Sequence, residues 1–144
     1  MGDTSLRSAF PRDFLWACSS SSYQGEGSLG DGGRGPSIWD EFCARPGAIA
    51  DSSSGEFGSD SWRRWREDVA LLAGLGVNAY RLSVAWPRIQ AAGRGPGIQA
   101  GLDSYRRLCE ALLEAGIEPW ITLYHWDLPL ALGQEGGWLS RDTA

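Results

Sequence analysis

The segment Gly76-Val77-Asn78-Ala79-Tyr80-Arg81-Leu82-Ser83-Val84-Ala85-Trp86, near the middle of the chain, carries the clearest strand pattern in the sequence. Residues 77–84 are rich in strand-forming side chains, and the Trp86-Pro87 pair ends the pattern because proline is excluded from the middle of a sheet. The pattern returns forty positions later, where Gly116, Ile117, Trp120 and Trp126 repeat Gly76, Val77, Tyr80 and Trp86. A strand that recurs at this interval predicts a strand–helix repeat with enlarged loops.

Two amphipathic helices are predicted, one before the strand at 77–84 and one between that strand and its repeat. Their apolar residues recur at spacings of three and four, on Trp62, Trp65, Val69 and Leu72 in the first and on Leu102, Tyr105, Leu108 and Leu112 in the second. Ser59 or Asp60 is the expected N-cap of the first helix, and Gly116 is expected to close the second. Each helix therefore has one face that must pack on the sheet.

Two more strands are predicted, over residues 14–18 and 117–124, because both segments are short and apolar. Residues 125–137 are predicted to form a loop, and Ser140 is expected to cap one more helix. The resulting order is strand, helix, strand, helix, strand, which is typical of parallel βα units. The residues between 19 and 58 form a long loop rich in Gly, Ser, Asp and Pro, and loops of that length usually serve a function.

The predicted fold class is α/β, in the form of a partial TIM (β/α)8 barrel with about the first three βα units. Three parallel strands and two helices do not cover both faces of a sheet, and a complete barrel needs about 250 residues. At 144 residues the chain is therefore expected to be cut short. We expect residues 1–144 to be the N-terminal part of a single barrel domain, with the long first loop around residues 19–58.

Composition excludes several classes of function. All thirteen basic residues are arginine and the net charge is −5, so we expect no nucleic-acid partner. No apolar run approaches the roughly 20 residues that span a bilayer, and we expect no membrane partner and a cytoplasmic protein. The three cysteines lack a C-x-x-C pairing, which favours reduced, buried thiols over disulfides or a zinc site. We expect no cofactor and no metal.

Polar and aromatic side chains follow the predicted strands, at the edge where parallel α/β folds build their sites. Gln24 and a neutral His125 each donate and accept hydrogen bonds, and Trp126 offers an apolar face and an indole N–H. Sugars present hydroxyl arrays and apolar ring faces, so these three residues are candidate sugar-binding residues. The alternatives are a loop glutamine that satisfies the backbone and a structural histidine.

Arg81 lies within a predicted strand, where an unpaired charge is costly. Alternation places it on the face that would be the barrel interior. It is expected to face an anion, either in a structural ion pair or beside an active-site carboxylate whose pKa it lowers.

The tryptophans and carboxylates divide between structural positions and candidate site positions. Two tryptophans are expected in the core, and five near loops are expected near a site: Trp62 and Trp65 in the first group, Trp16, Trp39, Trp86, Trp126 and Trp138 in the second. Four carboxylates are conceivable catalytic groups, but capping and loop hydrogen bonds explain each of them more simply: Glu26, Asp40, Glu41 and Asp127.

Several motifs follow one another along the chain: Phe14-Leu15-Trp16, Ser21-Ser22-Tyr23-Gln24-Gly25-Glu26-Gly27, Asp31 to Asp40, Arg66-Glu67-Asp68-Val69, Asn78 to Ser83, Trp86-Pro87-Arg88-Ile89, and Leu123 to Pro129. Taken in this order, they closely resemble glycoside hydrolase family 1. The resemblance implies a retaining β-glucosidase or β-galactosidase-like enzyme on a (β/α)8 barrel. It also implies that Gln24, His125 and Trp126 line the subsite for the non-reducing sugar and that Arg81 lies beside the nucleophile.

The family's two catalytic glutamates belong to an Asn-Glu-Pro and a Thr-Glu-Asn-Gly motif, and neither motif occurs in this sequence. We therefore expect no catalytic residue in this chain, which would act on a β-glucoside or oligosaccharide together with the missing C-terminal part of the barrel. One alternative is a non-catalytic carbohydrate-binding relative. The other is a self-contained βα domain that uses Asp127 and Glu26.

Overall fold

The structure, a computed structural model, describes residues 9–143. Its centre is a parallel sheet of three strands in the order β1-β2-β3, formed by Ala17–Ser19, Ala79–Ser83 and Glu118–Thr122. Ala79 pairs with Ala17 on one side and with Glu118 on the other, so all three strands point the same way. The parallel sheet confirms the predicted fold class, a partial barrel built from parallel βα units.

The two long helices cover one face of the sheet. Helix α3 spans Ser61–Leu75, and helix α5 spans Gln99–Glu114. Their apolar faces meet the outward face of β2 in a core of five buried side chains, Val69, Leu72, Leu82, Leu112 and Ile117. Gly76 ends α3 with φ of 71°, a left-handed conformation that glycine adopts without the strain of a Cβ.

Strand β1 begins later than predicted, at Ala17 instead of residue 14. Residues 14–16 lie before β1, and the Asn78 side chain replaces a strand partner there by accepting from the Trp16 N–H (2.7 Å) and donating to the Phe14 carbonyl (3.1 Å). Helix α3 is preceded by Asp60 as expected, but the Asp60 carboxylate accepts from Ser28 Oγ (2.8 Å) and does not cap the helix.

The long loop after β1 contains short helices that its composition did not predict. Helix α1 spans Ser22–Gly25, a single turn of 3₁₀ helix spans Asp31–Gly33, and helix α2 spans Ile38–Ala44. A capping box between Ser37 and Asp40 starts α2. This loop therefore has a defined path over the carboxyl end of the sheet.

The segment after β3 differs from the prediction of a loop over residues 125–137. Helix α6 spans Leu130–Gln134, and its Leu132 is buried against the fold. Ser140 precedes a helical turn as expected: residues 141–143 form a turn of 3₁₀ helix, and the Asp142 N–H donates to Ser140 Oγ (3.3 Å). Residues 137–139, inside and just after the predicted loop, form another such turn. A five-residue helix anchored by one leucine is too short to show a 3.6-residue period. Between Trp86 and Ile89 lies another single-turn helix, α4.

Two further expectations concern the chain as a whole. Within residues 9–143, no helix combines the length and apolarity needed to cross a bilayer. Cys18, Cys43 and Cys109 are free thiols, but each is half-buried rather than fully buried.

The core predicts a sharp difference between two neighbouring leucines of α5. Leu112 is fully buried, whereas Leu113 is 60% exposed. We expect Leu112→Ala to lower the free energy of unfolding by about 2–5 kcal/mol, because it removes apolar contacts and leaves a cavity. Leu113→Ala is the matched control and should change it by no more than about 0.5 kcal/mol. Urea unfolding measures both, and equal losses would show that α5 does not pack as described.

Candidate functional site

An open pocket of about 520 Å³ lies at the carboxyl edge of the sheet. Gln24, His125 and Trp126 line it, so the structure brings all three candidate sugar-binding residues into one cavity. Gln24 comes from α1 after the first strand, and the other two come from the loop after the third. Their meeting follows from the parallel sheet, in which the loops after β1 and β3 leave the same edge.

The three side chains present complementary chemistry to the pocket. Gln24 Oε1 accepts from Ser21 Oγ (2.5 Å), which fixes the orientation of the amide. Trp126 is 66% exposed and has φ of 78°, an uncommon conformation for a bulky residue that turns the chain sharply after His125. The rings of His125 and Trp126 are nearly perpendicular, with centroids 6.5 Å apart. An apolar face and hydrogen-bonding groups therefore share one opening.

Arg81 sits beside this pocket on the sheet face opposite the core. Its Nε donates to Thr122 Oγ1 (2.8 Å), and its Nη2 lies 3.1 Å from His125 Nδ1. A guanidinium only donates, so Nδ1 accepts and the neutral imidazole carries its proton on Nε2. Arg81 thereby sets the tautomer of His125.

The anion expected opposite Arg81 is not found among residues 9–143, where the ion pairs involve other arginines. The structural ion-pair alternative is therefore not met within the part of the chain that the structure describes. The other alternative, a carboxylate at the active centre, stays a prediction.

The pocket includes residues that the sequence did not single out. Tyr23 stacks on Trp39 with ring centroids 6.1 Å apart, and the Gly55 N–H donates to the Tyr23 hydroxyl (3.4 Å). Burial raises the pKa of Tyr23, and a hydrogen bond with Cys43 raises it further. The Tyr23 hydroxyl therefore stays neutral. A Cβ at Gly55 would lie 2.7 Å from the Tyr23 carbonyl oxygen, so glycine is required for this approach. Only the density of Gly and Ser in the loop hinted at such packing.

The tryptophan assignments are corrected in part. Trp39 and Trp126 line the pocket, and Trp65 packs against the core as expected. Three of the expected site tryptophans lie elsewhere, with Trp16 against Phe10 and Phe14 before β1 and Trp86 against Trp138. Trp62 is not part of the core cluster, and its ring lies under the Arg88 guanidinium at 3.8 Å.

Glu26 is part of a buried ion pair rather than of the pocket. Its carboxylate accepts from Arg88 Nε (2.9 Å) and from the Tyr105 hydroxyl. Burial raises the pKa of Glu26, whereas the positive charge of Arg88 and the Tyr105 hydrogen bond lower it. Arg88 is fully buried and also donates to the Asp31 carbonyl (3.2 Å), so this pair clamps the long loop to the helices.

The other three carboxylates also have structural partners. Asp40 pairs with Arg34 (2.9 Å), and Glu41 pairs with Arg45 (2.8 Å). Asp127 is completely buried, and its Oδ2 accepts from Ser22 Oγ (2.5 Å). Burial raises the pKa of Asp127, and the Ser22 hydrogen bond opposes that shift. None of the four candidate carboxylates lines the pocket. Residues 9–143 also hold no group of three or more His, Cys, Asp or Glu side chains suited to a metal ion.

Parallel βα units with a polar and aromatic pocket at their carboxyl edge define a segment of a (β/α)8 barrel. The family model for glycosyl hydrolase family 1 matches residues 6–144. The chain belongs to this family, as the sequence motifs predicted.

Named relatives agree with this assignment. Beta-glucosidase A of Acetivibrio thermocellus is 48% identical over 134 residues, covering 93% of this chain and 30% of the relative. The beta-glucosidase of Agrobacterium sp. is 49% identical over 139 residues, covering 96% and 30%. The solved family 1 beta-glucosidase from Thermotoga maritima has a TM-score of 0.90 at 47% identity, covering 92% of this chain and 30% of that one. The virulence factor SghA, solved with its substrate analog salicin, gives 0.92 at 47%, with coverages of 96% and 30%. The chain thus spans about a third of its relatives' length.

The buried ion pair leads to a second stability prediction. We expect Arg88→Met to lower the free energy of unfolding by about 3–5 kcal/mol, because it leaves the Glu26 carboxylate buried without its partner. Arg106→Met removes the exposed pair with Asp103 and should cost no more than about 1 kcal/mol. Thermal and urea unfolding of both variants test this. A small loss for Arg88→Met would mean that the clamp on the long loop does not exist.

Proposed function

We propose that this chain supplies the glycone-binding part of a retaining β-glucosidase that removes terminal β-D-glucosyl or β-galactosyl residues. One observation carries the proposal: Gln24, His125 and Trp126 line a single pocket. Its volume of about 520 Å³ is in the range of small-molecule sites. The beta-glucosidase relatives support the substrate class.

The chemical step requires groups that this chain does not supply. A retaining mechanism needs two carboxyl groups about 5 Å apart, one as nucleophile and one as acid and then base. The buried ion pair of Glu26 and the complete burial of Asp127 argue against the alternative of a self-contained βα enzyme. We propose that Arg81 lies beside a nucleophile carried by the remainder of the barrel, and that the chain alone is inactive.

The free edge of β3 is the natural junction with that remainder. Trp120, Ile121 and Leu123, which lie in or directly after β3, are at least half exposed. An open strand edge with apolar side chains favours pairing with another strand. We propose that residues 1–144 form the N-terminal part of a single barrel domain, with a first loop around 19–58, and that the next barrel strand pairs here. The cytoplasmic location stays a prediction from the sequence.

Sugar binding by the chain is a direct test of the pocket. We expect Gln24→Ala to weaken binding of methyl β-D-glucopyranoside by about tenfold, because it removes hydrogen bonds to hydroxyl groups. Gln134→Ala, at an exposed glutamine of α6 outside the pocket, is the matched control and should bind like the wild type. NMR titration measures both affinities. Equal affinities for the two variants would remove Gln24 from the site.

Hydrolysis is tested by completing the barrel. We expect no hydrolysis of p-nitrophenyl β-D-glucopyranoside by the chain alone, because the two carboxyl groups are missing. A chimera in which this chain replaces the matching 135 residues of Beta-glucosidase A from Thermotoga maritima should hydrolyse it. Activity of the chain alone that is lost in Asp127→Asn would contradict the proposal. A folded chimera that binds the sugar but does not cleave it would favour the non-catalytic relative.

A further inference from the structure

A buried chain of hydrogen bonds lies at the ends of the strands, next to the residues of the pocket. Ser83 Oγ, at the end of β2, donates to Ser22 Oγ (3.1 Å), and Ser22 Oγ donates to Asp127 Oδ2 (2.5 Å). The Ser22 backbone N–H donates to Ser83 Oγ (2.8 Å). All three residues are buried. These hydrogen bonds therefore connect the end of β2 to the segments that follow β1 and β3.

The Asp127 carboxylate, the last acceptor in this series of hydrogen bonds, sets the direction of each donor. A carboxylate only accepts, so the Ser22 hydroxyl must point its proton at Asp127, and the Ser83 hydroxyl must then donate to Ser22. Charge-assisted hydrogen bonds of this kind are short and strong when buried. An uncharged apolar residue at position 127 would leave Ser22 and Ser83 without this order.

Two residues of the pocket, Gln24 and Trp126, lie within two positions of these hydrogen-bonded residues in sequence. Ser22 is the first residue of α1, the single turn that carries Gln24. Asp127 directly follows Trp126, whose positive φ is strained and must be held in place by its surroundings. The Ser22–Asp127 hydrogen bond therefore joins the two walls of the pocket, one from the first strand's loop and one from the third's.

We propose that Asp127 is a positioning residue, which holds the Gln24 turn and the His125-Trp126 turn at the spacing a pyranose requires. It does not touch the sugar, since it lies outside the pocket lining. The choice of a sugar as the ligand rests on the proposed function. The spacing of the two turns can be measured without any ligand.

The test compares conservative and disruptive variants of the full chain. Asp127→Asn keeps an acceptor for Ser22, whereas Asp127→Ala and Ser22→Ala each break the hydrogen bond. Val69→Ala, in the core between helices and sheet, is a control that lowers stability away from the pocket. The two measurements are the affinity for methyl β-D-glucopyranoside and the NMR resonances of the Gln24 side-chain amide and the Trp126 indole.

We expect Asp127→Ala and Ser22→Ala to weaken binding by about tenfold and to shift both resonances, whereas Asp127→Asn stays within about threefold of the wild type. Val69→Ala should leave both measurements unchanged. If Asp127→Ala does not fold, the comparison of Ser22→Ala with Asp127→Asn still tests whether the Ser22–Asp127 hydrogen bond positions the pocket residues. Variants that lose stability but keep the resonances and affinity, as Val69→Ala does, would overturn the proposal. Absence of binding in the wild type would count against the proposed function alone, because the resonances still report on positioning.

Discussion

Parallel pairing of β2 with both of its neighbours is the constraint on which the pocket depends. Because Ala79 aligns with Ala17 and with Glu118, each strand ends at the same edge. The segments that follow β1 and β3 then meet above that edge, although Gln24 and His125 are far apart in sequence. Antiparallel pairing of any strand would send its loop to the opposite end and dismantle the site.

The long first loop is fixed by polar contacts that reach across the fold. Arg88 holds Glu26, and the Ile38 N–H donates to the Leu128 carbonyl (2.9 Å), which attaches α2 to the segment after β3. Ser37 and Pro129 form a bridge at the same point. Burying such groups is costly unless they are fully paired, so these contacts select one path for the loop. The pocket wall formed by Tyr23 and Trp39 depends on that path.

The sequence predicted the parts that repeat or that follow from strand order. The helical periods of α3 and α5 and the recurring strand predicted where the sheet and its helices lie. The positions of Gln24, His125 and Trp126 after strand ends predicted that they share one site, and they line one pocket. Residues whose roles depend on distant partners were not predictable. Asp127 meets Ser22, which is 105 positions away, and Arg88 meets Glu26, which is 62 positions away. Without those partners, a buried structural carboxylate looks the same as an exposed catalytic one.

A crystal structure of the chain with methyl β-D-glucopyranoside bound would show whether this pocket is the sugar site. We expect the ligand at the carboxyl edge of the sheet, with its hydroxyl groups within hydrogen-bond distance of Gln24 and His125 and one face against Trp126. A ligand bound elsewhere would contradict this site. Side chains of Gln24 and His125 that turn toward opposite ends of the sheet would contradict it equally.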